Sequence, residues 1–283
     1  MNPYENGKMS ETSKKVYMNN LCRLAGTKEF KSLDFLKNTE AIIKRIDGMN
    51  PNTARSYYIA IVSAIRGRKG FKKQETIYFN KQQDMNKTLG NSSHKSDRTK
   101  KKYDGLTWDD ILKRSKDLID EYNKNRDYDT LYSLVLVSLY TLLPPRRLMD
   151  YMLMKIGTGT DPKYNYYDGT RFIFNHYKTS RTSQTQIEKV PDALVKLLAL
   201  YMKHKKFPES DFLLHTSRSP SITQNNQMTT LLHKAFNNKN VGASVLRSLF
   251  LTSKYGEMMK DLRSDVKAMG TSEGVASGTY IQE

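Results

Sequence analysis

The stretch Arg171–Pro191, RFIFNHYKTSRTSQTQIEKVP, decides the fold class of this 283-residue chain. Its first half alternates, with Phe172, Phe174 and His176 on one side and Ile173 and Tyr177 on the other. The alternation stops in the polar run Thr179–Ser183 and resumes over Thr185–Val190. Period-two patterning on both sides of a short polar break reads as a β-hairpin.

The sequence on either side of the hairpin reads as helix. Upstream, LYSLVLVSLYTLL (131–143) is too short to span a bilayer and is closed by Pro144-Pro145. It predicts a buried helix from about Asp127 to Leu143. Before it, Thr107 followed by Asp110 marks the start of another helix. Downstream, 192–207, 228–238, 243–256 and 258–270 read as four further helical segments. The first part of the chain predicts three helices. One is capped by Ser10 and carries Tyr17, Leu21 and Leu24. The second is capped by Thr39 and carries Ile42, Ile43 and Ile46. The third carries Tyr58, Ile61, Val62 and Ile65 and ends between Gly67 and Gly70. No β-type alternation appears before residue 75. The expected fold is therefore mainly α with a small β-hairpin in its second half. Residues 1–85 form a helical domain, 86–105 a polar, Lys-rich linker, and 106–283 a second domain.

Charge narrows the partners. Lys plus Arg number 47 against 29 Asp plus Glu, a formal net charge of +18. Such an excess is self-repelling unless it meets a polyanion, and nucleic acid fits best because clustered cations displace counterions from phosphates. The linker cluster Arg98, Lys100, Lys101 and Lys102 would then lie along a phosphate backbone. An anionic membrane surface would need a basic amphipathic helix or a lipidation site, and neither is evident. The single cysteine, Cys22, leaves no intramolecular disulfide and no cysteine-based metal site. The N-terminal residues have no apolar run of the signal-peptide kind, so an intracellular protein is expected. No carboxylate cluster with metal spacing, phosphate-cradling Gly-rich loop or Ser-His-Asp signature is present, and no cofactor is expected.

Four places in the sequence are candidates for chemistry. Arg146 and Arg147 follow the Pro-Pro break, with Asp150 placed to hold Arg147 by an i, i+3 contact. Lys178 ends the first hairpin strand. Arg247 lies among apolar neighbours in ASVLRSLFLTSKYG (243–256). Tyr280 stands behind the small and polar residues Gly270–Thr279. Taken singly, each has a plainer reading: an Arg–Asp pair at a helix end, a solvated lysine, a snorkelling arginine.

Their order is more specific. Arg in RRLMD, Lys in HYKTS, Arg in SVLRS, then MGTS with Tyr nine residues after Thr271 resembles the tyrosine recombinase family of the phage-integrase type. The resemblance covers the chain from about Leu106 onward and extends weakly to the helical N-terminal part. The Pro-Pro-Arg-Arg form of the first box is similar to recombinases of eukaryotic mobile elements and large DNA viruses. The family pattern implies Arg147 as the first arginine, with Arg146 as the alternate and Asp150 as its acid. It implies Lys178 as the hairpin lysine, Arg247 as the second arginine and Tyr280 as the nucleophile. It places Ser244 and Thr271 where the family usually has histidines, and His176, two residues before Lys178 on the same strand face, is a partial substitute.

The resemblance also implies a C-shaped two-domain clamp on double-stranded DNA, four protomers on two duplexes, and strand exchange through a 3′-phosphotyrosyl bond without a metal. The alternatives are a nicking and relaxing enzyme of the type IB topoisomerase kind and a DNA-binding protein whose catalytic site has decayed.

Overall fold

A computed structural model describes residues 2–5, 9–91, 105–178, 180, 184–237 and 239–281. The chain divides into two compact units, Met1–Asp97 and Arg98–Glu283. The basic cluster Arg98, Lys100, Lys101 and Lys102 lies outside the described residues.

The first unit is helical: α1 (Glu11–Ala25), a 3₁₀ turn (Asp34–Lys37), α2 (Thr39–Asp47), α3 (Pro51–Ile65) and α4 (Lys72–Asn91). Ser10 caps α1 by accepting from Ser13 N at 3.2 Å, and Gly26 ends it in the left-handed region at φ 73°. The cap of α2 is Asn38, which accepts from Ala41 N at 3.2 Å, and Thr39 is the first helical residue. Either side chain suits a cap, so the sequence misplaced it by one position. Asn50 and Pro51 start α3, the amide as cap and the proline where no N–H is needed. Leu21, Ile42, Ile46, Tyr58, Ile61 and Ile65 form the core, with Tyr78 of α4 donating its hydroxyl to Leu36 O at 2.8 Å. Helix α4 runs to Asn91, past the start of the stretch read as linker. That stretch contains no proline, so nothing covalent stops the helix there.

The second unit mixes helices and strands. The order is α5 (Trp108–Asn125), α6 (Tyr128–Thr141), α7 (Leu148–Met152), β1 (Met154–Ile156), β2 (Asn165–Tyr167), β3 (Arg171–Phe174), β4 (Gln186–Lys189), α8 (Asp192–Lys203), α9 (Asn225–Ala235) and α10 (Ala243–Ala268). A helical turn, Glu273–Val275, then runs into a wider π-type turn, Ala276–Tyr280. Thr107 and Asp110 form a complete capping box at α5, with Thr107 N donating to Asp110 Oδ2 at 2.8 Å and Asp110 N to Thr107 Oγ1 at 3.2 Å. Helix α6 is buried over nearly its whole circumference, as its continuous apolar run requires. It packs against α5, α8 and α9.

The sheet has four strands in the order β1-β2-β3-β4, with β1 and β2 parallel and the other pairs antiparallel. The hairpin read from the sequence is β3–β4, with Phe172 opposite Glu188 and Phe174 opposite Gln186. Strands β1 and β2 are three residues each, too short for alternation to show. Phe172 and Phe174 are buried and meet Tyr151 of α7 edge-on, at 5.8 and 6.1 Å between ring centres. Each such buried ring contributes roughly 2–3 kcal/mol relative to exposure, so the aromatic cluster fixes α7 on the sheet. The segments 243–256 and 258–270, read as two helices, are one continuous helix, α10. Gly256 does not break it, because a helical glycine costs only about 1 kcal/mol relative to alanine.

Candidate active site

The arginine-bearing corner follows from the Pro-Pro break. Helix α6 stops at Thr141, and Pro144 and Pro145 cannot donate to a continuing helix. The chain re-enters helix at α7 with Arg147 as the N-cap residue, its backbone extended at φ −76°, ψ 157°, and its carbonyl accepting from Asp150 N at 3.1 Å.

Arg146 turns to the sheet. Its guanidinium lies 3.7 Å from the Phe174 ring centre. Its Nε donates to Asp150 Oδ2 at 3.0 Å and its Nη2 to Gln186 Oε1 at 2.8 Å. Asp150 is therefore the partner of Arg146 by an i, i+4 contact, whereas the sequence reading gave it to Arg147. The ring of Phe174 and the amide of Gln186 decide between two spacings that a helix start permits equally. Asp150 is 2% exposed, and burial pushes its carboxyl up against the opposing pull of Arg146. Its Oδ1 has no hydrogen-bond partner.

No ion pair among the described residues involves Arg147 or Arg247. Arg247 sits in the second turn of α10, half-buried. The two arginines share two cavities. The larger, about 410 Å³, is lined by both of them together with Asn225, Thr229, His233 and Ser244. The smaller, about 280 Å³, is lined by both with Arg146, Asp150, Tyr177 and Gln186. Among the described residues no carboxylate lines the larger cavity, so its two arginines make it a positively charged recess. Guanidinium groups suit phosphate oxygens because their forked N–H groups match that geometry.

The hairpin lysine is positioned less directly. Strand β3 ends at Phe174, so His176 and Lys178 lie beyond the strand and not on one strand face as the alternation suggested. Asn165, at the start of β2 and 2% exposed, ends the strand pattern there. Its Nδ2 donates to Asp150 O and His176 O, both at 2.8 Å, and its Oδ1 accepts from His176 N at 2.7 Å. This one amide ties α7 to the bend that precedes Lys178. Tyr177 is buried, lines the smaller cavity and donates its hydroxyl to Gln184 O at 2.6 Å. Lys178 follows it and is exposed.

Thr271 and Tyr280 line neither cavity. Thr271 N donates to Val266 O at 2.9 Å, and Arg263 pairs with Glu273 at 2.9 Å, holding the terminal turns on the far part of α10. Arg263 lies about 24 Å beyond Arg247 along the helix axis at about 1.5 Å per residue. Tyr280 is 61% exposed. The structure thus gathers Arg146, Arg147, Asp150, Ser244 and Arg247 around two adjoining recesses, whose linings include none of His176, Lys178, Thr271 and Tyr280.

From the sequence His233 reads as a structural or surface histidine, and four further contributors are not singled out at all. Asn165 and Gln186 act through contacts remote in sequence. Asn225, Thr229 and His233 form a polar i, i+4, i+8 stripe on α9, a visible signal whose direction depends on packing.

No protein-family model matches the chain, and none of the curated proteins matches it. Among the described residues, no helix is long and apolar enough to cross a membrane.

Proposed function

We propose that this chain breaks and rejoins DNA as a site-specific recombinase of the tyrosine type. The observation that carries the reading is the sharing of both recesses by Arg147 and Arg247, which approach from α7 and α10 with no ion pair among the described residues. Two arginines lining one recess, with no ion pair among the described residues, offer an entering anion their forked N–H donors. The backbone of DNA is the polyanion that a chain of charge +18 attracts.

In this reading a scissile phosphate sits between Arg147 and Arg247, and their N–H groups hold the non-bridging oxygens. Their grip strengthens as charge accumulates on those oxygens in the five-coordinate transition state. The oxygen of Tyr280 attacks phosphorus, and the phenol proton passes to solvent. The bond from phosphorus to the 5′ oxygen breaks, and Lys178 protonates the departing oxygen. A 3′-phosphotyrosyl bond results, and it keeps the energy of the phosphodiester for rejoining. Arg146 is held by Asp150, Gln186 and Phe174, so its role is to shape the recess floor.

The place of Tyr280 sets a condition. Seven extended residues after Glu273 reach about 24 Å at most, which only equals the distance between Arg263 and Arg247 along α10. Tyr280 reaches the arginines when the terminal turns leave α10 or when another protomer supplies them. Four protomers on two duplexes, each closing as a C-shaped clamp, would provide the second route.

Incubation with a nicked duplex that loses its short 5′ strand after cleavage tests the reading. A covalent protein–DNA adduct that survives denaturant and is absent in Tyr280→Phe supports it. Specific DNA binding with no adduct would favour a binding protein with a decayed site. Supercoil relaxation without exchange between duplexes would favour the topoisomerase-like outcome.

A further inference from the structure

Among the described residues, His233 is the only imidazole that lines the larger arginine recess. The other described histidines are placed elsewhere. His215 is buried with Nε2 against the Tyr128 hydroxyl at 2.6 Å and Nδ1 against Thr216 O at 2.7 Å. His204 follows the last turn of α8, and His176 lies in the bend clamped by Asn165. His233 is half-buried, and neither ring nitrogen has a hydrogen-bond partner among the described residues.

Its direction follows from the architecture of α9. Met228, Leu232 and Ala235 form the buried stripe that packs on α6 and α7. Asn225, Thr229 and His233 fall one turn apart on a neighbouring face, and all three line the recess. Thr229 Oγ1 donates to Asn225 O at 2.9 Å, which fixes the middle of this polar wall.

We propose that His233 is a third ligand for a phosphodiester in this recess, and that it gives the site a grip on phosphate that varies with pH. An imidazolium adds a charged N–H donor beside two guanidinium groups, whereas the neutral ring adds at most one uncharged donor. The charged groups around it are accounted for element by element. Arg147 from α7 and Arg247 from α10 share the recess. On α9 itself, Lys234 is paired with Asp129 of α6 at 2.8 Å. Arg114 of α5 donates to Ala235 O at 2.8 Å and pairs with Glu121. Asp150 lines the smaller recess only. Among the described residues no carboxylate lining the recess is therefore placed to neutralise the ring, and an entering phosphate oxygen supplies the counter-charge. The inference rests on the reading of the recess as a phosphate site and does not require Tyr280.

The test uses the full chain carrying Tyr280→Phe, with the dinucleoside monophosphate TpT as probe. Its single phosphodiester keeps one charge across the pH range. Binding is followed by chemical-shift titration at pH 5.5 and pH 8. The expected result is affinity about ten-fold tighter at the lower pH. His233→Gln should reduce that ratio to below about two-fold, His233→Lys should bind tightly at both pH values, and His204→Gln should change nothing. Weakened binding in Arg147→Ala and Arg247→Ala would place the probe in the recess. A ten-fold pH ratio that survives His233→Gln, or binding indifferent to both arginine variants, overturns the proposal. The two claims separate cleanly. Absence of a covalent adduct with pH-dependent TpT binding intact removes the enzyme reading and keeps this one. An adduct with no role for His233 in TpT binding does the reverse.

Discussion

Asp150 binds Arg146, and it does so from a nearly water-free position: Arg146 Nε lies 3.0 Å from Asp150 Oδ2. Asp150 accepts its side-chain hydrogen bond from Arg146, whereas the Arg147 side chain has no ion pair among the described residues and acts on the carboxylate only through space. A double-mutant cycle measures this division. Arg146→Ala and Asp150→Ala should couple by about 1–3 kcal/mol in urea unfolding, because one partner lost leaves the other uncompensated. Arg147→Ala and Asp150→Ala should couple by less than about 0.5 kcal/mol. Equal coupling of the two arginines to Asp150 would contradict the assignment.

Asn165 is the hinge between the arginine corner and the lysine loop. Asn165→Ala removes one acceptor and two donors and strands His176 N, His176 O and Asp150 O. Unsatisfied buried groups cost about 1–3 kcal/mol each before relaxation, so a loss of roughly 2–4 kcal/mol is expected. Hydrogen exchange at the His176 amide should accelerate along with it. Exchange at that amide unchanged from wild type would show that the clamp does not hold the loop.

The buried His215 makes stability fall with acid. Burial, with Lys206 and Lys205 adding to it, holds its imidazole below the usual histidine range. The unfolded chain therefore takes up a proton there before the folded chain does. The contribution of the neutral ring is complete above about pH 6.5, the unfolded value, and is lost as pH falls below it. Urea midpoints from pH 8 to pH 5 should decline more steeply in wild type than in His215→Gln, after both are referred to pH 8. Parallel declines would remove His215 as the source.

How much of this was legible depended on the range of the forces involved. The Thr107–Asp110 capping box is a contact three residues apart, so the letters alone carry it. The hairpin showed because period-two patterning flanks the polar run Thr179–Ser183 against a helical background. Strands β1 and β2 did not show, since three residues cannot display a period. Gly256 looked like a stop, but no proline follows it and the helix continues through it. The choice of Arg146 over Arg147 lay beyond the sequence, because Phe174 and Gln186 make it from the sheet. The polar stripe ending at His233 was readable as a stripe, while its aim at the arginines is set by the packing of α9 on α6 and α7.

The terminal turns bear on how Tyr280 is delivered. A mixture of Tyr280→Phe and Arg247→Ala protomers should form more adduct than either variant alone if one protomer supplies tyrosine to another's arginines. No adduct from the mixture would assign delivery to the same chain, with the Arg263–Glu273 contact opened.

The most direct measurement is the site and arginine dependence of the covalent adduct on a nicked duplex. Peptide mapping should place the DNA on Tyr280, with adduct formation lowered by about 10²–10³ in Arg147→Ala and in Arg247→Ala, the loss expected when a transition-state donor is removed. An adduct mapped to another residue, or one formed equally well without either arginine, would contradict the account.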